Sequence, residues 1–113
     1  MDTHGKLVRD RIPEIVRAEG REPITYVASP VEYRTRLRDK LTEEVAEFLA
    51  ADDASAPGEL ADVLEVVRAL AANLGIDPAA LEELRREKHR ERGGFTRWII
   101  WTGTTESTED TPH

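Results

Sequence analysis

A chain of 113 residues falls in the size range of one domain. Only 39% of the residues are hydrophobic against 35% charged, so the core is expected to be thin and the chain to cover its apolar surface by pairing, as a homodimer or homotetramer. A net charge of -7 disfavours duplex nucleic acid as a partner, and the absence of cysteine excludes disulfides and thiolate metal sites, leaving oxygen or imidazole ligands for any metal. No apolar run approaches the roughly 20 residues that span a bilayer, and the first residues lack a signal-peptide pattern, so the expected setting is cytoplasmic with no membrane partner.

In chain order, Ile12, Ile15 and Val16 share one face of a short first helix that begins near Pro13 and closes at Gly20. Pro23 to Val27 is β-branched and aromatic and predicts a short edge strand. Ser29-Pro30 is a cap followed by proline at the first helical position, with Glu32 in the first turn, and predicts a long helix over 30–53. Its apolar stripe is Tyr33, Leu37, Leu41, Val45 and Phe48. The stretch from Asp52 to Gly58 reads as the connecting loop.

A third helix is predicted over 59–74, with Leu60, Val63, Leu64, Val67, Leu70, Ala71 and Leu74 facing inward and Gly75 as its stop. Asp77-Pro78 starts a charged fourth helix that runs to Arg92, and Gly93-Gly94 reads as its cap. Trp98 to Trp101 predicts a second short strand, its tryptophans strand and interface residues rather than a base-stacking pair. Residues 1–102 are therefore expected to form a single mainly α domain of helical-hairpin, four-helix-bundle type with one or two peripheral strands. Residues 103–113 are expected to be a disordered acidic tail.

The chemistry converges on the helical hairpin. At about 100° per residue, Glu44 and Glu47 lie on one side of the second helix with Lys40 between them in angle, one turn earlier. Glu59 and Asp62 share a face of the third helix that continues through Val66, Ala69 and Asn73, whereas Glu65 and Arg68 sit at the azimuth of ordinary solvent charges. Two such acid pairs could hold a hard cation such as Mg²⁺, but their spacing is equally compatible with surface ion pairs.

The order Lys40-Leu41-Thr42-Glu43-Glu44-Val45-Ala46-Glu47 followed by Glu59-Leu60-Ala61-Asp62-Val63-Leu64 resembles the Glu-Glu-x-x-Glu and Glu-x-x-Asp signature of the all-α nucleoside triphosphate pyrophosphohydrolases. These include MazG-like proteins, dimeric dUTPases and phosphoribosyl-ATP pyrophosphohydrolase. Lys6-Leu7-Val8-Arg9-Asp10-Arg11-Ile12-Pro13 and Arg92-Gly93-Gly94-Phe95 resemble the phosphoribosyl-ATP-pyrophosphohydrolase-like, MazG-related branch. The resemblance implies Mg²⁺-dependent hydrolysis of a non-canonical or surplus nucleoside triphosphate between its α- and β-phosphates, with Mn²⁺ as a possible substitute. It implies Glu44, Glu47, Glu59 and Asp62 as metal ligands, and Lys40, Arg9, Arg11, Lys88 and Arg92 as phosphate-binding cations. Glu43 is the candidate base for the attacking water. Two other readings compete: cleavage of phosphoribosyl-ATP in histidine synthesis, and a non-catalytic helical dimer that binds a nucleotide or a protein.

Overall fold

The computed structural model describes residues 5–105 and contains four helices: α1 (Ile12–Ala18), α2 (Pro30–Ala50), α3 (Ala56–Asn73) and α4 (Pro78–Arg92). The chain divides into two units, Met1–Leu81 and Glu82–His113. In the first, α2 packs on α3 through a five-residue connection, the antiparallel hairpin expected from two long helices and a short loop.

Local chemistry accounts for the helix ends. Ser29 Oγ accepts the Glu32 amide at 3.2 Å, and Pro30 follows where a missing N–H costs nothing. The same logic starts α3 earlier than expected. Pro57 and Gly58, read as loop, lie in its first turn, while Asp52 Oδ1 accepts from the Ser55 amide and hydroxyl and tightens the loop to 51–55. At the other end Gly75, at φ +80°, lets Ile76 N–H reach the Ala71 carbonyl at 2.8 Å and its own N–H reach Ala72 at 3.0 Å. Only a residue at ease in the left-handed region closes α3 this way.

The two expected strands do not form. Among the described residues there is no strand, so the mainly α class stands without its peripheral β elements. Residues 23–27 have no chain beside them to supply a ladder; Ile24 and Val27 are fully open, and Tyr26 is held instead by its hydroxyl, which donates to Glu32 Oε2 at 2.5 Å. Trp98 sits at φ +58°, outside the extended region, and Trp101 donates its indole N–H to the Gly103 carbonyl at 2.8 Å. Of the expected disordered tail, residues 103–105 carry no secondary structure and are exposed, and 106–113 lie outside the described residues.

The core is as thin as the composition requires, and it keeps most of the predicted α2 stripe, Val45 excepted, but only part of the α3 one. The buried apolar residues are Leu37, Val66 and Ala71, with Tyr33, Leu41, Phe48, Val63, Val67 and Leu70 half-buried around them. Leu60, Leu64 and Leu74, expected inside, are each more than half exposed. The contact stripe instead runs from Leu37 to Glu44 on α2 and from Glu59 to Val66 on α3, seven-residue steps that return to nearly the same azimuth. The acids therefore occupy the loop end of the helix–helix interface. Among the described residues, no helix is long and apolar enough to cross a membrane.

Candidate metal centre

Glu44 is the hub of the site. Among the described residues it is the one charged residue that is buried, 6% exposed, because it continues the stripe of Leu37 against α3. One carboxylate oxygen from each of Glu43, Glu44 and Glu47 lies within 4.8 Å of the others, and the same holds for Glu44, Glu59 and Asp62. The two triplets share Glu44 and draw on both helices.

The cations present satisfy only part of this charge. Lys40 Nζ lies 3.2 Å from Glu44 Oε2 and 3.4 Å from Glu43 Oε1, and Lys6 Nζ lies 3.4 Å from Glu43 Oε2. Arg9 Nη2 donates to Asp62 Oδ1 at 2.6 Å. Glu44 Oε1 and Glu59 Oε2, however, are buried with no hydrogen-bond partner. An ionised carboxylate oxygen left so is costly, by about 1–3 kcal/mol or more.

Those two oxygens provide the test of fit for a divalent cation. Mg²⁺ bound at about 2.1 Å spaces its ligand oxygens by roughly 3 to 4 Å in an octahedron, and each triplet holds its oxygens within 4.8 Å of one another. All donors are hard carboxylate oxygens, the ligand type that Mg²⁺ and Mn²⁺ prefer. The donor set fits.

The electrostatics point the same way. The charge of Glu44, then desolvation, then Glu43 and Glu59, push the Glu47 carboxyl above its ordinary value. Desolvation acts upward on Glu43 too, but Lys40 and Lys6 together outweigh it and hold that carboxyl below its ordinary value. Adjacent acids thus titrate in opposite directions.

The structure gathers Glu43, Glu44, Glu47, Glu59, Asp62, Lys40 and Arg9 at one place. Arg11 turns to Glu14 of its own helix at 3.4 Å. Lys88 and Arg92 are exposed on α4 in the second unit, without an ion-pair partner among the described residues. Gly93, at φ +79°, donates its N–H to the His89 carbonyl and caps α4. Glu65 and Arg68 are exposed, as their azimuth required. Lys6 was given no role by the sequence, although it opens the Lys6–Pro13 segment that carries the family resemblance. A cavity of about 330 Å³ bordered by Arg68, Ala71, Ala72, Ile76, Asp77 and Leu81 lies toward the far end of α3, away from the acids, and its lining is mostly apolar.

Comparison with known proteins gives the chain its family. Over 47 residues the chain is 57% identical to an uncharacterised protein of Mycolicibacterium smegmatis (strain ATCC 700084 / mc(2)155), a match covering 42% of this chain and 48% of that protein. The chain thus spans about half the length of the curated relative it matches. No solved structure matches. The profile of the phosphoribosyl-ATP pyrophosphohydrolase family matches residues 14–89, two-thirds of the chain, a range within which positions 44, 47, 59 and 62 fall. The chain belongs to the phosphoribosyl-ATP pyrophosphohydrolase family.

Proposed function

We propose that the protein is a divalent-cation-dependent nucleotide pyrophosphohydrolase that cleaves a nucleoside triphosphate, non-canonical or surplus, between the α- and β-phosphates, giving a nucleoside monophosphate and pyrophosphate. The observation that carries this reading is the pair of partnerless buried oxygens, Glu44 Oε1 and Glu59 Oε2, where the two acid triplets meet. A family defined by pyrophosphate-bond hydrolysis supplies the chemical context.

Glu44, Glu47, Glu59 and Asp62 would hold Mg²⁺, or Mn²⁺ in its place. Bound there, the cation neutralises phosphate charge and lowers the pKa of a coordinated water. Lys40, 15% exposed beside Glu44, and Arg9 offer donors to the phosphate oxygens, with Arg11, Lys88 and Arg92 as further candidates. Glu43 accepts the proton of the attacking water in this scheme. Its lysines keep it ionised, as an acceptor must be, but weaken it as a base, so Glu43→Gln should lower kcat by about 10²-fold rather than abolish turnover.

A second reading, phosphoribosyl-ATP as substrate, is favoured by the family's description. One assay addresses both: pyrophosphate release with Mg²⁺ across a panel of nucleoside triphosphates and phosphoribosyl-ATP, for wild type, Glu44→Ala and Asp62→Ala. Activity in wild type that disappears in both folded variants is the expected result, and the best substrate separates the two readings. Full activity in either variant would sink the ligand assignment. No release from any substrate would leave the non-catalytic binder.

Self-association belongs to the same proposal. Val45 and Leu49 on α2, and Leu60 and Leu64 on α3, are each four residues apart and between 37% and 75% exposed. Both pairs are rotated the same way from the contact stripe by roughly a quarter to a third of a turn, which in an antiparallel hairpin brings them to one side. A second hairpin on that side would complete a four-helix bundle as a homodimer, and a pair of dimers a homotetramer.

A further inference from the structure

Residues 5–9 have no secondary structure, yet they cross the acid cluster from one helix to the other. Lys6 reaches Glu43 on α2 and Arg9 reaches Asp62 on α3. The two cations are three residues apart, about 10 Å of extended chain, close to the 8–10 Å between packed helix axes. Between them Leu7 and Val8 are half-buried, so the segment is seated by its middle while its charged ends straddle the hairpin.

One side chain fixes where this segment starts. Arg36, one turn before Lys40 on α2, donates through Nη1 to the Gly5 carbonyl at 2.6 Å. Its Nε donates to Glu32 Oε2 at 3.1 Å, and the pair is only about one-fifth exposed. Arg36 therefore points along the helix toward the N-terminal segment by a contact that itself has a partner. The cations it delivers are different in kind: Lys6 and Arg9 are 63% and 54% exposed, and ion pairs that open contribute little to stability. They are free to trade one anion for another.

We propose that residues 5–9 form a cationic strap over the site, in which Lys6 is a phosphate-binding residue beside Arg9 and Arg36 is the positioning residue for both through the Gly5 carbonyl. The inference rests on the pyrophosphohydrolase reading. With a divalent cation on the ligand set, Asp62 would no longer need Arg9, and the exposed Lys6 ammonium beside Glu43 and the Arg9 guanidinium would both be placed to donate N–H groups to a phosphate chain lying between them. The same residues would thus offset the carboxylates' charge without the cation and bind the substrate's with it.

The test uses binding rather than turnover, with two probes: Mn²⁺ alone, read by electron paramagnetic resonance, and inorganic triphosphate with Mg²⁺, read by calorimetry. Lys6→Gln, an exposed change that leaves the core intact, should weaken triphosphate about tenfold and bind Mn²⁺ no more weakly than wild type. Arg17→Gln, on α1 and paired with Glu22, should leave triphosphate unaffected. Arg36→Gln should lower the backbone order parameters of residues 6–9 and weaken triphosphate while retaining Mn²⁺ binding. Wild-type triphosphate affinity in Lys6→Gln, or an equal loss in Arg17→Gln, overturns the strap and leaves the metal centre standing. A wild-type chain that binds neither probe overturns the pyrophosphohydrolase reading as well.

Discussion

The acids of the α2–α3 hairpin and those of α4 both cluster on helices, yet their electrostatics are opposite. On α4, Glu82 is embraced by Arg85 at 2.7 Å and Arg86 at 3.2 Å, and Glu83 by Arg90 at 3.2 Å. The Arg85 hydrogen bonds pull Glu82 down to about 2. On the hairpin, Glu44 and Glu59 each keep a buried oxygen without a partner, and Glu47 is pushed up by like charge. An acid cluster whose charge the chain itself balances is a solvated surface, whereas one left short of cations in a buried place is arranged for a ligand the chain does not supply.

The comparison breaks most sharply in turnover. Glu44→Gln and Glu59→Gln should lower pyrophosphate release by about 10²–10³-fold, the scale of losing a group that organises charge in the transition state. Glu82→Gln and Glu83→Gln should leave it at the wild-type rate. Equal losses from the two helices would mean that missing cations do not mark the site.

Metal should also separate the helices without any substrate. At a hundredfold excess over its dissociation constant, a ligand specific to the folded state adds about 2.7 kcal/mol, a rise in Tm on the order of 10 °C for a chain of this size. Scanning calorimetry with Mg²⁺ or Mn²⁺ should show that rise in wild type and in Glu82→Gln, and lose it in Glu44→Gln. A shift that survives in Glu44→Gln would place the cation elsewhere.

A smaller effect is expected from the apolar side of the hairpin. Light scattering after size exclusion should give a dimer or tetramer for wild type and a monomer for the Leu60→Glu, Leu64→Glu double variant, since two buried charges per partner outweigh what those leucines contribute. A monomeric wild type would remove self-association from the proposal.

What was legible in the sequence follows from what is local. Ser29-Pro30, Asp77-Pro78 and Gly75 announce helix ends because a cap or a left-handed turn is decided by neighbouring residues alone. The grouping of Glu44 with Glu47, and of Glu59 with Asp62, is equally local, a matter of 100° per residue. The strands at 23–27 and 98–101 were misread because β-branched and aromatic residues fit a sheet only when another strand is present, which no window of sequence reports. The inward face of α3 was misjudged for a related reason. Leucine content favoured Leu60 and Leu64, but α2 meets α3 along Glu59 and Val66, and Leu60 and Leu64 are left on the side assigned to a second copy. Lys6 and Arg36 were invisible because they meet the site through contacts 37 and 31 residues away in sequence.

The finest version of the comparison lies within α2 itself. Glu32 and Glu47 share a helix, yet the Tyr26 hydroxyl, ahead of Arg36, holds Glu32 below its ordinary value while Glu44 drives Glu47 above. Carboxyl carbon NMR of the metal-free protein should therefore place the Glu47 midpoint above 4.5 and those of Glu32 and Glu82 below it. The consequences for stability have opposite signs. Glu32, depressed, contributes stability that is present above its unfolded midpoint and is lost as pH falls through the folded one. Glu47, raised, contributes stability that is present below its unfolded midpoint and is lost as pH rises through the folded one, so at neutral pH it is a burden the metal-free fold carries. Glu47→Gln should accordingly raise Tm at pH 7 without metal, and Glu32→Gln should lower it. With Mg²⁺ present the first of these must reverse, because a carboxylate that repels its neighbours becomes one that shares a cation with them. A Glu47→Gln variant that stays more stable than wild type in saturating Mg²⁺ would show that Glu47 is outside the ligand set.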